Sequence, residues 1–189
     1  QNDPAEEVPF TLWEQYLDMI IFPDHKTTPQ QRSHISYTLK LVVGSMLDHA
    51  RPGDIPRFLS ALLKYYDDPE HTAPDTAFTL LDAIRYLPPR YYGDETRARL
   101  IEFGGHFARS GDLRLVTAAL EFFREAERSI PRTHPQMARI AQIAQEVESD
   151  QLTTIFLKCK ILRRAGVDVT AMEQVSGENA EKKISGISE

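Results

Sequence analysis

The chain has 189 residues, of which 41% are hydrophobic, with 28 acidic and 22 basic side chains giving a formal charge of −6 at pH 7. That is enough apolar mass for one core, and the sign of the charge opposes a general attraction to polyphosphates. The single cysteine, Cys159, rules out an internal disulfide, no Cys/His spacing matches a structural zinc site, and no run approaches the ~18 apolar residues of a membrane span.

The sequence opens on Gln1, and residues Asn2 to Glu7 are polar and acidic, without the basic start and apolar core of a signal peptide. Residues 1–9 are therefore expected to be a disordered or linker N-terminus, and the chain a piece of a longer, intracellular protein. From there the elements follow in order. Thr11 with Glu14 makes a capping-box pattern ahead of Trp13, Tyr16, Leu17 and Ile20 at helical spacing, ended by Phe22-Pro23. Thr28-Pro29 opens the longest run, through Ile35, Leu39, Val42 and Met46 to Arg51-Pro52-Gly53. Asp54 heads a third run carrying Phe58, Leu59, Leu62, Leu63 and Tyr66, and Thr72 with Asp75 heads a fourth that Pro88-Pro89 closes.

Asp94 and Asp112 head two further runs separated only by Ser110-Gly111, so this stretch predicts two antiparallel helices joined by a tight turn. Thr133 with Gln136 is expected to cap a seventh helix carrying Met137, Ile140, Ala141, Ala144 and Val147. Asp150 is expected to cap an eighth, with Leu152, Ile155, Phe156, Cys159 and Leu162 on its apolar stripe and Gly166 as the left-handed stop. Residues 169–189, rich in Ser, Gly, Glu and Lys, predict a disordered tail.

No segment alternates as a strand would. The expected fold is all-α: about eight helices forming antiparallel hairpins, as an α-solenoid or a compact bundle, in one domain over residues 10–168. Helix starts recur at Asp54, Asp94 and Thr133, and again at Thr72, Asp112 and Asp150, roughly the unit length of HEAT and armadillo arrays and slightly above that of tetratricopeptide units. The likeness is one of architecture. Laying Asp54 onward over Asp94 onward sets Leu62 against Glu102, and no repeat consensus is present.

The chemistry-bearing residue types all admit plainer roles. Gly104-Gly105 inside a helix costs about 1 kcal/mol per glycine relative to Ala, which predicts a close helix approach or a kink. The histidines at 25, 34, 49, 71, 106 and 134 never share the His-x-x-x-His spacing of a helical metal site. Cys159 falls on an apolar stripe and is expected to be buried and inert. The Glu125-Glu127 pair beside Arg124 and Arg128 reads as solvated surface, and Lys158, Lys160, Arg163 and Arg164 as charges offsetting the dipole of their own helix.

No catalytic constellation, metal or cofactor is implied. The favoured function is a non-enzymatic interaction or scaffold domain binding another protein along a helical surface, with homo-oligomerisation compatible. An RNA-binding helical repeat is the alternative, which the charge disfavours, and an enzyme with a dispersed site ranks third. The expected partner-binding residues are Arg85, Tyr86, Arg90, Tyr91 and Tyr92, around the stiff Pro88-Pro89 pair, together with His106. Of these, Arg90, Tyr91 and Tyr92 are expected to be at least partly exposed.

Overall fold

A computed structural model of the chain describes residues 15, 17, 28–49, 51, 53–85, 87, 91–172 and 174. These are all-α, with no strand among them. The expected first helix and most of both termini lie outside the described residues, although Gln15 and Leu17 are helical and Leu17 is buried. Contacts divide the chain into two compact units, with the boundary between Gly93 and Asp94, where composition had suggested a single core. A count of apolar residues does not show how they partition.

In the N-terminal unit, α1 (Pro29–His49), α2 (Ile55–Leu63) with its 3-10 extension Lys64–Tyr66, and α3 (Pro74–Ile84) follow the expected runs. On α1, Leu39, Val43 and Met46 are buried at i, i+4, i+7 spacing, with Val43 rather than the expected Val42 facing inward. Phe58, Leu62, Leu80 and Leu81 fill the interior. Tyr66 is buried with them, and its hydroxyl donates to the Leu80 carbonyl at 2.8 Å, so the one polar atom on that side chain is satisfied. Prolines near the starts of α2 and α3 supply pre-set φ in place of side-chain caps. Neither Asp54 nor Thr72 acts as the expected cap: Asp54 makes no capping hydrogen bond, and the Thr72 hydroxyl donates to the Asp68 carbonyl at 2.6 Å.

The C-terminal unit holds α4 (Asp94–Ala108), α5 (Leu113–Arg128), α6 (Pro135–Glu146) and α7 (Leu152–Arg164). Asp112 caps α5 as expected, accepting from the Arg114 N–H at 2.9 Å. Gly166, at φ +85°, ends α7: its own N–H reaches the Arg163 carbonyl at 3.1 Å, and that of Val167 reaches the Leu162 carbonyl at 2.9 Å. This pair of bonds is the Schellman closure. The chain continues in order past the boundary expected at residue 169, with Val169 buried and residues 170–172 helical.

In this unit, too, two starts differ from expectation. His134, not Thr133, caps α6, its Nδ1 accepting from the Gln136 N–H at 3.2 Å. At α7 the cap position is Gln151, whose N–H is taken by Ser149 Oγ at 3.1 Å, leaving Asp150 outside the cap.

Close helix packing accounts for the glycine pair. A Cβ on Gly104 would stand 3.0 Å from Phe123 Cε1 and 3.2 Å from Phe122 Cδ1, and one on Gly105 would stand 2.8 Å from Ile143 Cδ1. Adjacent glycines thus let α4 receive α5 on one side and α6 on the other.

Candidate functional site

The residues expected to bind a partner fall in both units. In the N-terminal unit, Arg85 is half-buried, with Nη1 3.3 Å from Asp82 Oδ1 on the same helical turn. Tyr91 is half-buried. Tyr92 is only 8% exposed, so the expectation that it presents a free face is corrected. An amphipathic tyrosine next to a proline pair serves as well to fill a core as to display a surface. Tyr86 and Arg90 lie outside the described residues. In the C-terminal unit His106 is exposed, its ring meeting Phe107 edge-on at 4.9 Å.

The richest geometry belongs to the C-terminal unit. A polar seam ties α4 to α6 along their whole length. At one end, Gln136 Nε2 donates to the Asp94 carbonyl at 2.6 Å, and Arg97, itself buried, donates to Asp94 Oδ1 at 2.6 Å and Gln136 Oε1 at 3.2 Å. Midway, Arg139 forms a two-pronged pair with Glu102 at 2.7 Å in each arm. At the far end Arg109 Nε reaches Glu146 Oε2 at 2.6 Å. Start meets start and end meets end, so the two helices run in the same direction. Hydrogen bonding to Arg97 holds the Asp94 carboxyl below its ordinary range, and Arg139 and Arg109 do the same for Glu102 and Glu146.

One carboxylate behaves in the opposite way. Glu127, expected on a solvated face, is fully buried at 0% exposure and paired with Arg124. Burial raises its pKa, while the charges of Arg124, Arg164 and Arg128 pull it down without overcoming that cost. Arg164 lies 37 positions along the chain, so no local reading of α5 could show this neighbour.

The basic run on α7 is divided in purpose. Lys158 does not serve its own helix: Nζ donates to the carbonyls of Gln145 at 3.0 Å and Val147 at 2.7 Å, closing the C-terminal end of α6. Lys160 lies over the Phe156 ring, 4.0 Å from its centroid. Cys159 is buried, as expected.

On α7 the expected stripe is split. Cys159, Ile161 and Leu162 are buried, yet Leu152 is 48% and Phe156 57% exposed. With successive residues about 100° apart, Leu152, Phe156, Lys160 and Arg163 share one outward face. Around on the inward side, a hollow of about 380 Å³ opens between α7, the loop after α6 and residues 171–172. Its walls are mainly Val147, Ile155 and Met172, with Ser149 and Lys158 as the polar groups. Sequence periodicity placed Phe156 on an apolar stripe but carried no sign of which stripe the unit covers.

No group of side chains able to hold a metal ion occurs among the described residues, and no described helix is long and apolar enough to cross a membrane. No protein-family model, curated protein or solved structure matches the chain.

Proposed function

We propose that the protein is a non-enzymatic, intracellular interaction domain whose C-terminal unit binds an amphipathic helix of a partner protein along the outer face of α7. The observation that carries this reading is the exposure of Leu152 and Phe156 one turn apart. Large apolar side chains on successive turns of one face are the contact pattern of helix-in-groove recognition. Lys160 and Arg163 continue that face, so the fitting partner helix has apolar anchors on one stretch and acidic residues on the next. A helical-repeat organisation of the same unit is part of the proposal. It is supported by side-chain bonds between α4 and α6 that join residues 37 to 42 positions apart, close to the interval between expected helix starts.

The test is a double substitution, Leu152→Glu/Phe156→Glu, compared with Leu113→Glu at an exposed apolar residue on α5. Partners captured from extract at physiological salt with nuclease present would be identified, and peptides covering their acidic amphipathic helices titrated against each variant. The expected result is a peptide whose binding is lost in the double variant, retained in Leu113→Glu and weakened by salt. Binding that survives the double substitution removes this surface. Recovery of RNA, with every partner lost on nuclease treatment, moves the RNA-binding alternative ahead.

A further inference from the structure

The hollow on the inward side of α7 has features that packing alone does not account for. Its volume of about 380 Å³ falls in the ~300–1,000 Å³ range of small-molecule pockets. Val147, Ile155, Ala171 and Met172 make it chiefly apolar. Lys158 brings an ammonium to this apolar setting, with two hydrogen bonds going to the Gln145 and Val147 carbonyls. An ammonium has three protons, so one remains to donate. Ser149 Oγ accepts from the Gln151 N–H and keeps its own proton. Thr154, 1% exposed, adds a buried hydroxyl that has no hydrogen-bond partner among the described residues.

We propose that this hollow binds a small carboxylic acid with an aliphatic body, its carboxylate taken by Lys158 and Ser149 and its chain lying against Ile155 and Met172. One ammonium proton and one hydroxyl proton match the two oxygens of a monocarboxylate, whereas a dianionic phosphate would ask for more positive charge than the hollow contains. Burial lowers the proton affinity of the Lys158 amine, with Glu148 among the neighbours acting the other way, and a carboxylate in the hollow further favours the charged form. Lys158, which takes the carboxylate, points roughly 120–160° round the helix from Leu152 and Phe156, so the charged end of this site lies away from the proposed protein-binding face, with Ile155 the wall nearest to Leu152.

The experiment follows the methyl NMR signal of Met172 in the full chain, assigned with Met172→Leu, during titration with octanoate and, separately, octan-1-ol. The expected result is a saturable shift with octanoate, roughly tenfold tighter than with the alcohol because a charge-assisted hydrogen bond is lost. Lys158→Met should bring octanoate to the alcohol's affinity, and Lys158→Arg should keep most of the preference. Equal affinity for acid and alcohol in the native chain, or a Met172 methyl that does not move, overturns the proposal even if Lys158→Met fails to fold. Leu152→Glu/Phe156→Glu should leave octanoate binding intact, so failure of one proposal does not carry the other with it.

Discussion

Single residues decide how closely the helices of the C-terminal unit approach, and Gly104 is the sharpest case. Its missing Cβ is replaced in space by the rings of Phe122 and Phe123, both buried, which have no free end to swing aside. Gly44, inside α1, has nothing among the described residues within 4 Å of the same position. The two therefore give opposite results on replacement by Ala. Gly44→Ala should stabilise by about 1 kcal/mol through helix propensity. Gly104→Ala gains the same term but meets an overpacking cost of about 1–3 kcal/mol, for a net loss of about 1 kcal/mol. Denaturant midpoints of the two variants check this, and a shift of the same sign for both would sink it. The need for a close approach was legible in the sequence, because two helical glycines are expensive without one. Which helices approached was not, since Phe123 and Ile143 lie 19 and 38 positions from the glycines they meet.

At the level of elements, the described helices lie where periodicity put them, because the signals are local: apolar spacing, a proline in the first turn, Ser110-Gly111 between two runs. Caps were less legible. Thr133 and Asp150 have the favoured chemistry, but His134 has the geometry at α6, and at α7 the cap position falls to Gln151, whose side chain makes no capping bond. His134 also reaches across to α4, where Nε2 stands 3.4 Å from Asp94 Oδ2. Since Nδ1 accepts from the Gln136 N–H, Nε2 carries the proton in the neutral ring and faces the carboxylate. His134→Ala thus removes both a cap and a cross-helix contact, and should cost about 1 kcal/mol. His134→Asn keeps a capping oxygen and should recover most of that loss, though not the contact to Asp94. Urea denaturation separates the two outcomes, and equal losses in both variants would show that the cap contributes little. The exposed face of α7 was the part least open to local reading: an apolar stripe looks the same whether or not its own unit covers it.

Across the whole molecule, the acidic balance predicts how stability responds to pH. Asp94, Glu102, Asp112 and Glu146 all have folded-state pKa values below their ordinary ones, each chiefly through an arginine partner. For such a group the stabilisation is present above the unfolded pKa of about 4 and lost as pH falls through the lower folded value. Glu127 runs the other way. Its raised pKa means that ionisation weakens the folded state above that value, and protonation relieves the penalty as the pH falls through it. Asp68 and Asp168 are lowered as well, through hydrogen bonds from His71 and Thr170, and six such carboxylates against one make acid unfolding the dominant trend. Denaturant midpoints should be nearly level through mild acidity and drop steeply below about pH 4. Glu102→Gln should flatten that drop by removing the paired carboxylate. Glu127→Gln, mimicking the neutral acid, should be more stable than the native chain at pH 7, and this advantage should vanish as the pH falls. A Glu127→Gln variant destabilised by the same amount at every pH would instead assign Glu127 a net favourable ion pair with Arg124, and the desolvation account of its buried carboxylate would fail.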